Sequence, residues 1–276
     1  MKKITLALLA CSALLTASSG HDHGHGKTSE QATLQTFTND IIDNTTQVEF
    51  ANSDKKMGAT AIVGVGDEHN VLDLALRYQP INHLGFDIRL PIVDNEVTDE
   101  NGIGDFSASA NLHFGKFSDT MGTNIFTFRY KSTSGDEEKG LGSGADAYTV
   151  TYTMANDLSS HIRFYLLGTY TFNSDDDSDS KNVIEYEDAY AGMLGLSYES
   201  TVSTNTKVTY FEQDIPGGAD TLTVADFWLE FSTKKIVPNV PMALGVKIPI
   251  VSEYDKDLID LDKTYLFYFS MSSFFF

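Results

Sequence analysis

The densest set of chemistry-bearing side chains is His21, Asp22, His23 and His25, separated by Gly24 and followed by Gly26. Three imidazoles and a carboxylate on flexible glycines can hold Zn²⁺, Cu²⁺ or Ni²⁺. If the chain were cut before Ser19, His21 would stand third, the position of an amino-terminal copper or nickel chelate. The opposing reading is a tail with incidental affinity, so a weak divalent metal is the one cofactor suggested. The acidic run Asp175, Asp176, Asp177 and Asp179 has neither a glycine sixth nor a glutamate twelfth, which excludes an EF-hand and leaves a solvated loop. None of His69, His83, His113 and His161 is followed two residues later by serine. The His-x-Ser pair of a barrel hydrolase is therefore missing, and no enzymatic activity is expected.

Those residues follow an export-type leader. Lys2 and Lys3 form a basic start, Ile4 to Leu15 an apolar stretch, and Ala17, Ser18, Ser19 and Gly20 a small-residue cutting site. The apolar stretch is too short for a membrane-spanning helix. Residues 1–20 are read as a cleaved signal peptide, and Cys11, the only cysteine, as an ordinary residue within it rather than a lipoprotein attachment site. The remaining chain then has no thiol with which to build a disulfide. The formal charge of −20 becomes −22 without Lys2 and Lys3, and such a surface repels a phosphate backbone, so nucleic acid is not an expected partner.

From about residue 58 onward the hydrophobic period is two. Phe106, Ala108, Ala110, Leu112 and Phe114 alternate with Asp105, Ser107, Ser109, Asn111 and His113. The same rhythm runs through Leu72 to Tyr78, Phe86 to Ile92, Tyr148 to Met154, Ile162 to Phe172 and Met242 to Ile250. The polar face carries charge in mid-strand, at Asp73, Arg77, Asp87, Arg89, Arg129, Arg163, Asp226, Glu230 and Lys247, which fits side chains lining a wet lumen. A soluble β-sandwich also alternates. The connections argue against one: short links at 80–82, 156–158 and 201–203 alternate with long acidic loops at 94–104, 132–146, 173–185, 214–220 and 253–260. Short turns at one rim and long loops at the other mark outer-membrane barrels. After the leader no apolar run approaches the length of a spanning helix, and a membrane protein without such runs must close its sheet. The last strand ends on Phe274, Phe275 and Phe276, an aromatic terminus similar to the signal read by the barrel-insertion machinery; Phe274 and Phe276 are taken as its key residues.

Two segments carry a family resemblance. Gly102-Ile103-Gly104-Asp105 resembles a Gly-x-Gly-Asp strand start, and Gly140-Leu141-Gly142-Ser143-Gly144-Ala145-Asp146 a Gly-rich loop closing on aspartate; Leu90-Pro91-Ile92-Val93-Asp94 precedes them. In this order they are similar to the outer-membrane transporter family named for the meta-pathway of phenol degradation. The resemblance implies a channel for small solutes, hydrophobic or aromatic ones among them, and makes Gly102, Gly104, Asp105, Gly142, Gly144 and Asp146 family-like loop residues. Their glycines suit rim geometry rather than a dinucleotide fingerprint, which needs a third glycine and a helix.

The sequence therefore predicts an all-β protein, a transmembrane antiparallel up-and-down barrel of about 12 strands over 45–276. The stretch 21–44 comes before it as a His-rich tail with a periplasmic linker or plug, and 46–51 is read as a lead-in rather than a thirteenth strand. The expected place is the outer membrane of a Gram-negative bacterium. Outer-membrane lipid and lipopolysaccharide, the barrel-assembly machinery and a small-molecule solute are the expected partners. Passive transport is the leading function. A structural or adhesive surface barrel, or a metal-linked protein using the histidine cluster, are the alternatives.

Overall fold

The computed structural model describes residues 29–66, 69–95, 99–114, 122–136, 139, 141–142, 146–174, 188–214, 221–237, 240–254 and 265–275. Helix α1 (Ser29–Ala51) is followed by β1 (Met57–Gly66), β2 (His69–Ile81), β3 (Leu84–Asn95), the short β4 (Glu100–Ile103), β5 (Ser107–Phe114), β6 (Thr123–Lys131) and β7 (Ala147–Asp157). The chain continues through β8 (Ile162–Asn173), β9 (Ala189–Tyr198), β10 (Ser203–Asp214), β11 (Thr221–Val237), β12 (Val240–Tyr254) and β13 (Leu266–Phe275).

Each strand of the barrel pairs antiparallel with the next, β3 doing so with β5, and β1 pairs with β13 as well as with β2, in registers that join Met57 to Phe275 and Met57 to Tyr78. Twelve strands thus close into a barrel, while β4 pairs only with the far end of β3. The described ends of the barrel, Met57 and Phe275, lie at the rim of the short turns β2–β3, β7–β8 and β9–β10. No described helix is long and apolar enough to cross a membrane.

Burial runs opposite to that of a soluble protein. On β2, Leu76 is 55% exposed while Asp73 is 2% exposed; on β10, Val208 is 50% exposed and Lys207 1%. Leu76, Phe86, Phe128, Tyr148, Leu194, Leu244 and Phe267 form part of an outward apolar band. Such a band is stable against lipid tails and untenable in water. Closure pairs the backbone of each barrel strand on both sides, which the hydrocarbon layer requires.

One sequence expectation comes out differently. The barrel begins at Met57 rather than at 45, because 45–51 belongs to α1. Residues 46–51, expected to lead in to the barrel rather than add a thirteenth strand, do so as the last turns of that helix: their side chains recur at helical rather than strand period once Phe37, Ile41 and Val48 are included. The leader, the His21–His25 cluster, Gly144 and Phe276 lie outside the described residues.

Candidate functional site: the plugged lumen

α1 lies inside the barrel, and its two long faces meet two different walls. Phe37, Ile41 and Val48 recur at helical spacing on one face, while Asp40, Asp43, Asn44 and Gln47 share the neighbouring one; Phe37, Asp40, Ile41, Asp43, Asn44 and Val48 are all buried.

The polar face meets β2–β6. Arg77 and Arg89 both donate to Asp43 Oδ2. Arg89 Nη1 also donates to Asp73 Oδ2 at 3.0 Å, and Arg129 Nη1 to Asp40 Oδ2 at 2.7 Å. Three guanidinium groups are thus matched by three carboxylates, two of them from the helix. Burial penalises the charged Asp43 carboxylate, but Arg77 and Arg89 outweigh that penalty and hold it below the usual carboxylate range. Asp87 accepts from Ser109 and Asn111, and Gln47 Nε2 reaches Asn111 Oδ1 at 3.1 Å and Thr127 Oγ1 at 3.3 Å.

The apolar face meets β8–β11 and β13. Phe37 packs on Phe211 with ring centroids 6.0 Å apart, and a continuous cluster joins the helix to Tyr165, Leu167, Met193, Leu222, Trp228 and Tyr268. Within this wall Lys207 Nζ donates to the main-chain carbonyl of Ile41 at 2.8 Å and lies 3.4 Å from Glu230 Oε2, which Tyr268 Oη approaches at 2.8 Å. The ring of Tyr268 occupies the space above Gly245, where a Cβ would come within 2.4 Å of it. Lys247 lies 3.8 Å from Asp226.

The charged residues singled out in the sequence do not all meet. Asp73, Arg77, Asp87, Arg89 and Arg129 gather on the β2–β6 side, Asp226, Glu230 and Lys247 on the other, and Arg163 sits at the short-turn rim between Asp157 (2.6 Å) and Glu199 (3.1 Å). Asp40 and Asp43 were missed as partners because they precede the strands. A helical reading of Phe37, Asp40, Ile41, Asp43 and Val48 is the signal that would have found them. Phe274 faces inward and packs on Phe50 at 5.3 Å, tying the last strand to the end of α1.

The Gly-rich segments pack on each other at the long-loop mouth. Gly135 N donates to Asp105 Oδ1 at 3.0 Å, Asp105 lies 3.7 Å from Lys131, and Leu141 is buried. A Cβ on Gly104 would meet Leu141 O at 3.0 Å, and one on Gly142 would meet Asp105 Oδ1 at 2.6 Å, so glycine is what permits the close approach. Asp146 accepts from Tyr130 Oη and Thr133 N. Beneath this cover a cavity of about 50 Å³ touches Asp73, Arg89 and Arg129. At the short-turn end, cavities of about 320 and 380 Å³ flank the helix at Glu49. α1 fills the space between the two mouths.

A closed twelve-stranded barrel with an outward apolar band and both described ends at the short-turn rim leaves one fold. The chain is a barrel of the outer-membrane type. Solved structures share it: the COG4313 outer membrane channel from Pseudomonas putida F1 is 13% identical over 80% of this chain and 96% of that one, with a TM-score of 0.64. The NanC porin is 11% identical over 80% of this chain and 100% of that one, with a TM-score of 0.52. The KdgM porin is 9% identical over 79% and 99%, with a TM-score of 0.50. No protein-family model and no curated protein sequence matches the chain.

Proposed function

We propose that the protein is a passive channel of the Gram-negative outer membrane for small solutes with substantial apolar surface. One observation carries the reading: the inner wall of β8–β11 and β13 carries a continuous apolar cluster, and the apolar face of α1 covers it. Ordinary hydrophilic passage has no use for that wall. A solute with apolar surface can take the place of Phe37 and Ile41 there, because burial of its surface offsets the burial lost when the helix moves. Both the likeness in fold to solved channels and porins and the Gly-rich resemblance to the phenol meta-pathway transporters support transport as the class. Lipopolysaccharide and lipid around the apolar band, and the barrel-assembly machinery on the last strand, are the partners this reading requires.

The test is entry of N-phenylnaphthylamine, a probe that fluoresces in membranes and is slowed by lipopolysaccharide, into intact cells. Cells producing the folded protein should take it up faster than cells producing a Phe211→Asp, Leu167→Asp variant of equal abundance. Equal rates would overturn the proposal.

A further inference from the structure

We infer that the short-turn cavity bordered by Ile42, Tyr165 and Asn205 is a binding site for the neutral, hydroxyl-bearing end of an amphiphilic solute, whose apolar end lies along the wall of β8–β11. This rests on the channel reading and deepens it. The cavity, about 320 Å³, is of the size of small-molecule sites. Ile42 and Tyr165 belong both to its lining and to the apolar cluster around α1, so the two environments are continuous. An elongated molecule can lie across the boundary with one end in each.

The lining specifies the polar end. Ser197, Ser232, Ser270 and Thr46 present hydroxyls that can donate or accept. Asn205 is 1% exposed and donates through Nδ2 to Glu230 and Ser232, while its Oδ1 is buried without a hydrogen-bond partner. A buried acceptor left in that state is costly, and a ligand hydroxyl is the group that satisfies it. The charges on the wall already have partners: Arg163 holds Asp157 and Glu199, Lys234 lies 2.9 Å from Glu49, and Glu230 pairs with Lys207. A carboxylate or ammonium head entering here would lack a free counter-charge and would lose its hydration. A neutral polyol head loses less and gains the hydroxyls and Asn205 Oδ1.

Trp228, the only tryptophan of the sequence, reports on the site. It lies two residues along the same inner face from Glu230 and is 1% exposed. Fluorescence of the protein in nanodiscs is titrated with three probes sharing a six-carbon tail: hexyl β-D-glucoside, hexanoate and hexyltrimethylammonium. The glucoside should bind at least about tenfold tighter than either ion, in line with a few added hydrogen bonds. Ser197→Ala, Ser270→Ala should cut that preference by about three- to tenfold while leaving the ions unchanged. Ser270→Asp, which adds a single unpaired charge, should shift the preference toward hexyltrimethylammonium. Equal binding of all three, or a preference for an ion in the unaltered protein, would overturn the inference, as would a glucoside preference that survives the double alanine variant. Each variant is first shown to migrate as a folded barrel, and an unfolded one is replaced by Thr46→Val. If the glucoside binds selectively but cells producing the protein take up no apolar probe, the site stands and the channel reading fails.

Discussion

Asp43 receives two guanidinium groups on one carboxylate oxygen, deep inside the lumen. Neutralising it leaves Arg77 buried beside Arg89 with too few anions, and breaking a buried pair from one side costs about 3–5 kcal/mol. Asp43→Asn should therefore loosen α1 and raise the open probability in planar bilayers by tenfold or more; an unchanged current record would show that the pair does not hold the plug. The same group sets a pH dependence. Its carboxyl lies below the ordinary value of 3.8 when the helix is docked, so docking stability from it is fully present above that value and is lost as pH falls through the docked pKa. The part of channel opening that Asp43 controls should increase only below about pH 4, and Asp43→Asn should remove that rise. A low-pH rise that survives Asp43→Asn would show that another group sets it.

α1 acts as one element with two unlike faces. Its carboxylates fit β2–β6 and its apolar stripe fits β8–β11, so a rotation or withdrawal must break both sets together. Transport past Phe37 and Phe211, whose rings are 6.0 Å apart, requires this contact to open. Cysteines placed at Phe37 and Phe211 and joined by a short bis-maleimide should suppress probe uptake to the level of cells lacking the protein. The same cysteines treated with a monofunctional maleimide should not. Uptake that survives the bridge would place the solute's path elsewhere. The glycines of the outer mouth act at this scale too, since Gly104 and Gly142 let two loops lie in contact and keep Leu141 over the charged cluster.

The whole molecule is organised by solvent. Its outward apolar band needs lipid, its ladder needs closure, and the plug matches an interior with an arginine–aspartate cluster on one side and a continuous apolar cluster on the other. The purified protein should migrate faster unheated than boiled on a detergent gel, and fractionate with the outer membrane; recovery from the soluble periplasm without that shift would contradict the barrel. Much of this architecture was legible in the chain. Period-two alternation placed Leu76, Phe86 and Tyr148 on one face and Asp73, Arg77 and Asp87 on the other, and link lengths set which rim carries the loops. Those signals are local and repeat in every strand, so closure and the number of strands followed. The plug, by contrast, was read as a linker or plug segment, and 46–51 as a lead-in, with no helix assigned to either. Helical spacing at Phe37, Ile41 and Val48 is weak beside a polar composition. What gives those three residues meaning is the wall of Leu167, Met193 and Phe211, more than a hundred residues away. The sequence alone determined a closed, lipid-facing barrel with charged residues on its inner face, because alternation is written residue by residue. Only the tertiary structure decided that those arginines are bound to helix carboxylates, and that an apolar cluster joins the helix to the opposite wall, because both depend on which distant side chains closure brings face to face.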